Sequence, residues 1–546
     1  MKFFQQLLVA PAALGLLAPA AVSAAELNLS GVNQYASEEQ VTSITQFSDV
    51  KPTDWAYQAL SNLIERYGCV AGYPNGTYKG GQAMTRYEAA ALLNACLDRI
   101  TEVTDELKRL MKEFEKELAV LRGRVDGLEA RVGELEATQF STTTKLRGKA
   151  TFVIGANSFS GDLDYPAVRK YDFGSAYKTD KVGENYADHA SELEGATTFN
   201  YDVQLDFDTS FTGKDLLRTR LRAGNFADSA WDGDGPVGLN AMEIAFEENC
   251  GTGSDCGDVV AINRLFYQFP IGSSFTATIG GRVRQDDMLA LWPSAYPADT
   301  VLDFFTYAGA PGAYSLNLGA GGGLWWKSGG FSISANYVSA NGDVANPNTG
   351  GIGTEGSQST GTVQLGYAAA NWGLAAAYTF SQNAGIYGGN GTPFANYAWY
   401  QSESVNSVGV SAYWSPLSAS WFPSISAGWG INSYSDNNTD EFANFDGGNS
   451  QSWYVGLQWA DVFWKGNAFG MAVGQPTFVV NSGDSDVDAN DGNYAWEWWY
   501  KFQVTDNISV TPAIYYLSAP LGQLQNEQSN ETFSNFGGLV KTTFKF

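Results

Sequence analysis

Two short alternating segments hold the residues with most chemistry to offer. In "FNYDVQLDFDTS", residues 199–210, Asp202, Asp206 and Asp208 take even positions, while Phe199, Tyr201, Val203, Leu205 and Phe207 take odd ones. Soon afterwards "LLRTRLRAG" (216–224) sets Arg218, Arg220 and Arg222 against Leu217, Thr219, Leu221 and Ala223. Side chains of a strand point to opposite faces with a period of two. Each segment therefore has one apolar face and one charged face. Rows of Asp and Arg on adjacent strands can pair across the wall, worth roughly 0.2–1 kcal/mol per pair. They can also line a water-filled passage as a basic strip. Three arginines beside Asp206 and Asp208 exceed what pairing needs, which favours the second use.

A further stretch, "RQDDMLALWPSAYPADTVLDFFTYAGAPGAYSL" (284–316), brings Asp286, Asp287, Asp299 and Asp303 together with Pro293 and Pro297. Arg282 and Arg284 lie at its start. Charged rings at a constriction set ion selectivity through their local field. These twelve residues form the candidate pore lining.

Other chemistries lack material. His189 is the only histidine, and no CxxC or HExxH motif occurs, so no catalytic residues, metal or cofactor are expected. "DSDVDANDG" (484–492) hints at calcium, but Ala489 and Ala495 replace the glycine and the bidentate glutamate of a calcium loop. A formal charge of −26 argues against a nucleic-acid partner. Cys250 and Cys256, in "ENCGTGSDCGD", read as a small disulfide-closed loop, and Cys69 with Cys96 is a second candidate pair.

The elements that position the charged rows begin after residue 140. Lys2, the apolar run "LLVAPAALGLLA" (7–18) and "VSA" (22–24) read as a signal peptide over 1–24. Residues 25–44 read as a flexible lead-in and 45–100 as a compact helical unit. Over 101–140, Leu107, Leu110, Phe114, Leu118, Leu121, Val125, Leu128, Val132 and Leu135 are spaced by threes and fours, a coiled-coil pattern. From 141 the period becomes two. Strands are expected near 146–158, 197–211, 215–225, 259–269, 274–284, 317–327, 330–340, 360–370, 374–382, 404–415, 421–434, 450–461, 464–474, 493–504, 507–518 and 534–546. Their connections alternate between short turns and long Gly/Asn/Asp-rich loops. An even number of strands with that alternation describes a 16-stranded antiparallel transmembrane β-barrel over 141–546, embedded in outer-membrane lipid. "AMEIAFEE" (241–248) breaks the parity and is assigned to the second long loop. The aromatic face then meets lipid and the charged face lines the lumen, since closure leaves no unpaired edge in hydrocarbon.

Family resemblances add detail. "FSDV" (47–50), "WAYQAL" (55–60), "GYPNGTY" (72–78) and "TRYEAA" (85–90) resemble the S-layer homology domain. That resemblance implies a peptidoglycan-linked polysaccharide as partner, with Asp49, Trp55, Lys79, Arg86 and Glu88 as the binding residues. Asp49, Trp55 and Glu88 serve equally well as a cap, a core aromatic and a capping partner. The order of signal peptide, S-layer homology domain, coiled coil and barrel resembles the cyanobacterial outer-membrane porins. "RLFYQFPIGSSFTATIGGR" (264–282) resembles the carbohydrate-selective porin family. Such proteins are passive homotrimeric channels, some of the iron-uptake-porin type, with the N-terminal domain in the periplasm. Two functions are therefore weighed: a peptidoglycan-tethered porin for small ions and polar solutes in transit, or a mainly structural tether with a narrow or plugged barrel.

Overall fold

The computed structural model describes residues 43–53, 57, 60, 61, 64, 77, 78, 112 and 115 of the N-terminal part. From there on it describes 143–164, 184–247, 257–297, 301–386, 388–419, 421–435, 447–483, 488–526 and 531–546. Cys69, Cys96, Cys250, Cys256, Trp55, Lys79, Arg86, Glu88 and Asp299 lie outside the described residues, as do the signal peptide and nearly all of the coiled-coil stretch. The chain divides into two compact units, Met1–Gln139 and Phe140–Phe546.

In the first unit, a 3₁₀ turn at Ile44–Gln46 starts from Ser43, whose hydroxyl accepts from the Thr45 amide. Ile44, Phe47, Leu60 and Ile64 make a small core, with Val50, Tyr57 and Tyr78 packed on it. Asp49 accepts the Tyr78 backbone N–H at 2.6 Å. It thereby ties "FSDV" to the end of "GYPNGTY".

The second unit is a closed barrel of sixteen antiparallel strands, each bonded to its sequence neighbour, with β1 closing on β16. The strands are β1 (Thr144–Gly161), β2 (Thr198–Thr209), β3 (Leu216–Gly224), β4 (Ala261–Ile271), β5 (Phe275–Arg284), β6 (Leu318–Ser328), β7 (Phe331–Ser339) and β8 (Ser359–Ala368). They continue with β9 (Trp372–Gln382), β10 (Ser404–Trp414), β11 (Ser424–Tyr434), β12 (Gly448–Ala460), β13 (Ala468–Asn481), β14 (Tyr494–Thr505), β15 (Ile508–Ser518) and β16 (Phe533–Lys545). Each expected strand is present within a few residues except β13, which runs on past Pro476 to Asn481. Proline removes a donor and suggests a strand end. Here a register shift between β12 and β13 absorbs it. "AMEIAFEE" falls in the β3–β4 connection, as expected.

The outer face is apolar. Phe199, Ile279, Ile333, Leu365 and Tyr378 are exposed, while Asp202, Ser334, Gln364 and Thr379 on the same strands are buried. Aromatic side chains crowd the short-turn end, with Trp372 opposite Trp414 in register and Trp421 and Phe463 standing out from the turns. An apolar band bordered by aromatics is what a lipid bilayer selects.

Long loops fold inward and fill much of the interior. Helix α1 (Tyr186–Glu194), capped by Asn185, buries Tyr186 against Phe533, with ring centroids 4.9 Å apart. Trp231, Leu239 and Met242 of the β3–β4 connection join that cluster, as do Val301, Leu302 and Phe304 of the β5–β6 connection. Helix α2 (Pro393–Gln401), capped by Thr392, packs Phe394 and Trp399 with Tyr434 and Val479.

Candidate functional site

The register of β2 on β3 places Asp208 opposite Arg218 and Asp206 opposite Arg220. Both pairs are bidentate: Arg218 Nε and Nη2 donate to Asp208 at 2.8 and 3.0 Å, and Arg220 donates to Asp206 at 2.6 and 2.9 Å. Arg222 does not go unmatched. It reaches Asp202 at 2.5 Å, donates to the Ile244 carbonyl and lies 4.5 Å from the Phe246 ring centroid. Asp202 therefore supplies the third carboxylate, and the three arginines are all paired, contrary to the surplus read from the sequence. The Asp202 side chain is fully buried and that of Arg222 is 12% exposed.

The charged wall extends further than the alternating segments suggested. Arg147 of β1 also bonds Asp208. Arg264 of β4, almost fully buried, donates to Asp287 at 2.8 Å, and Arg284 of β5 holds Asp286 through two bonds of 2.6 Å. Arg284 also lies 3.8 Å from Glu243 of the β3–β4 connection. Asp286 and Asp287 are thus bound back to the wall where the third long loop begins. Asp303 sits deeper in that loop, 3% exposed, bonded by Asn390 at 2.9 Å and in contact with Glu243. Arg282 stands apart from the arginine row. Register shifts at Leu265/Phe266 and Gly280/Val283 set it across from the outward-facing Leu265, and Val283 takes the buried position. The sequence cue for these shifts is "AINRLFYQF", where the apolar alternation slips between Ile262 and Leu265.

The β5–β6 connection crosses the interior and is fastened to the opposite wall. Ser411 donates to the Ala308 carbonyl at 2.7 Å and Ser452 to the Gly309 carbonyl at 2.9 Å. The Ala295 and Tyr296 amides donate to Ser426 at 2.8 and 3.1 Å. Glu497 accepts from the Tyr296 hydroxyl at 2.6 Å and the Leu302 amide at 2.8 Å. Gln285 and Thr379 donate to the Ala313 carbonyl. Small inward residues of β10–β12 make the seat: a Cβ on Gly428 would collide with the Ala308 carbonyl oxygen, and one on Gly409 or Gly430 would press on Ala310. Gly309 itself takes a φ of +77°, a region that disfavours L side chains. Sequence reasoning missed this seat, although glycine and serine at alternate positions in "SISAGWGINSY" (424–434) are its signature.

Two pockets border the obstruction. On the long-loop side, a cavity of about 370 Å³ is lined by uncharged groups that include Tyr307, Asn317, Gln358, Asn383 and Tyr400. On the short-turn side, a cavity of about 90 Å³ lies beneath Pro297 and carries Lys501, Lys541 and Lys545. Asp491, the described end of the calcium-like segment, holds loops together instead: it accepts from Thr392 at 2.5 Å and from the Val479 and Gln523 amides at 2.8 Å. Among the described residues no group of acids, cysteines or histidine is arranged to hold a metal.

Comparison with known proteins agrees with this architecture. Residues 102–546 match the model of the carbohydrate-selective porin, OprB family, and residues 46–90 match the S-layer homology domain. An uncharacterized protein of Nostoc sp. is 34% identical over 94% of this chain and 88% of its own length. An uncharacterized protein of Synechocystis sp. is 29% identical over 93% of this chain and 91% of its own length. The structure of Pseudomonas putida OprB superposes with a TM-score of 0.45 at 12% identity, covering 76% of this chain and 96% of that one. The closed barrel, its apolar outer band and its polar lumen agree with the family match over residues 102–546 and with the Nostoc relative: the chain belongs to the carbohydrate-selective porin, OprB family, as a non-enzymatic β-barrel protein of the outer membrane with an N-terminal S-layer homology domain.

Proposed function

We propose that the protein is a passive diffusion channel for ions and small polar solutes, tethered to peptidoglycan and assembled as a homotrimer. The observation that carries the channel reading is the seated third loop, which crosses a polar lumen and leaves pockets on both sides. Sixteen strands enclose a channel unless loops narrow it. A loop held by hydroxyl-to-carbonyl bonds on one wall, facing paired arginines on the other, suits a narrow hydrophilic path. An iron cargo forms no part of this proposal. The apolar cluster of Trp231, Met242, Leu302 and Phe304 inside the barrel favours the second reading, a closed barrel serving mainly as a tether. Purified protein in planar bilayers conducts ions under the first reading and stays silent under the second.

Tethering rests on the match of residues 46–90 to the S-layer homology domain. One such domain per chain binds weakly, and three gathered by a coiled coil over 101–140 add by avidity. Asp49 contributes through the fold, since its carboxylate holds the Tyr78 amide. Deleting 45–100 should release the protein from sedimenting peptidoglycan while the barrel stays inserted. Unchanged sedimentation would remove the tether from the account.

A further inference from the structure

One arginine of the barrel wall faces away from the lumen. Alternation from Phe275 and Ile279, both exposed on the outer face, would turn residue 282 of β5 inward to join the arginine row. The register shift between Gly280 and Val283 reverses it: Val283 is buried, and Arg282 stands opposite the exposed Leu265 of β4. A bulge re-aims side chains in this way. On the sixteen strands the only other charged residue at an outward position of the register is Arg284, at the end of β5, and Asp286 holds it through two bonds of 2.6 Å. Among the described residues Arg282 has neither a hydrogen bond nor an ion pair, and its Nε is closed off from water without an acceptor. The surface beside it is hollow and apolar. The shift sets Gly281 and Arg282 against Ala320 of β6, a Cβ on Gly281 would meet nothing, and Gly322 lies in register between Ile279 and Tyr337. Ile262, Leu265 and Ile279 stand out around the hollow.

We propose that Arg282 and this hollow form a binding site for an anionic lipid of the outer leaflet, with the headgroup oxyanion on the guanidinium and an acyl chain over Gly322. A guanidinium on a lipid-facing wall is costly unless it finds a counter-charge. Its planar fork fits the oxygens of a phosphate or carboxylate. Arg282 lies two residues before the long-loop end of β5, and long loops mark the extracellular side, so its stem can carry the charge to headgroup level. A second copy of the chain is the competing occupant. The outward positions of the strands hold no Asp or Glu, so wall-to-wall contact with another barrel offers Arg282 no counter-charge. An anionic lipid supplies both the charge and the apolar chain.

The test uses the full chain in detergent and reads bound lipid by native mass spectrometry, so it does not require conduction. Phosphatidylglycerol and phosphatidylcholine with identical acyl chains are offered in equal amounts. The wild type should retain phosphatidylglycerol in preference to phosphatidylcholine. Arg282→Gln should cut that preference by about tenfold, as expected for the loss of a charge-assisted pair. Arg282→Lys keeps the charge without the fork and should fall between the two. Lys214→Gln, at the exposed β2–β3 turn, should leave the preference unchanged. Excess inorganic phosphate should not displace the lipid. Equal retention of the two lipids by the wild type, or a preference unaltered in Arg282→Gln, overturns the proposal. Displacement by inorganic phosphate would assign a soluble anion instead. A changed oligomer mass in Arg282→Gln with lipid retention intact would assign the arginine to a second copy, and either result overturns the lipid site.

Discussion

The two halves of the barrel wall solve different problems. Strands β1–β5 carry Arg147, Asp202, Asp206, Asp208, Arg218, Arg220, Arg222, Arg264 and Arg284, joined by ion pairs within the wall and to the third loop. Strands β7–β13 contain no charged residue at all, and their inward positions hold Gly409, Ser411, Ser426, Gly428, Gly430 and Ser452. Long charged side chains occupy the wall that can face water, where each guanidinium keeps a partner. Small residues occupy the wall that must accept a second layer of backbone, because a loop can donate and accept hydrogen bonds there only at close range. One side of the pore is thus made of side chains and the other of a loop.

The largest effect should come from unpairing the most buried charge. Asp202→Asn keeps the shape but leaves Arg222 without its counter-charge beside Phe246. Breaking one partner of a buried pair costs about 3–5 kcal/mol. The midpoint of urea unfolding in detergent should fall accordingly, whereas Gly430→Ala, on the uncharged side, tests only the fit of Ala310. Equal losses in the two variants would erase the distinction between the halves.

Next in size is selectivity. Changing Arg218, Arg220 and Arg222 together to Gln leaves Asp202 and Asp206 without their paired cations and Asp208 with Arg147 alone. The reversal potential in a salt gradient should move toward cations, because an acidic wall concentrates them. An unmoved potential would mean that these pairs only brace the wall.

The smallest effect sharpens the comparison at the long-loop side. Burial, reinforced by Asp232, pushes the Glu194 carboxyl at the end of α1 up to about 8, and burial, chiefly, raises Asp232 to about 7. A carboxyl raised in the folded state binds its proton more tightly there than in the unfolded chain. Its contribution is therefore complete below the ordinary glutamate range and is lost as pH climbs toward 8. Amide protection in α1, taken relative to the intrinsic base-catalysed exchange rate, should fall between pH 5 and about 8, and Glu194→Gln should flatten that dependence. Protection that is flat in the wild type would contradict it.

How much of this was legible follows from what periodicity reports. All sixteen strands and the lumen-facing sides of Asp202, Asp206, Asp208, Arg218, Arg220 and Arg222 follow from alternation, which is a local property. Pairing partners depend on register, so Asp202 was not matched to Arg222 and Arg264 was hidden by a bulge. The seat of the third loop was the least legible part. A glycine facing inward leaves no mark in an alternating pattern, and the meaning of Gly428 emerges only when Ala308, over a hundred residues earlier, lies on it. Lys501, Lys541 and Lys545 come from β14 and β16, which flank β15, and only the pairing registers bring them to one level of the wall.

The most direct test of the account is the unitary conductance of Gly428→Leu beside the wild type in planar bilayers, with insertion of both checked by heat-modifiable electrophoretic mobility. A leucine side chain cannot share space with the Ala308 carbonyl, so the third loop should lift from its seat. The account predicts a small conductance for the wild type and a severalfold larger one, with noisier open states, for the variant. Equal conductance in the two inserted proteins would contradict the claim that the loop seated on the uncharged wall sets the width of the channel.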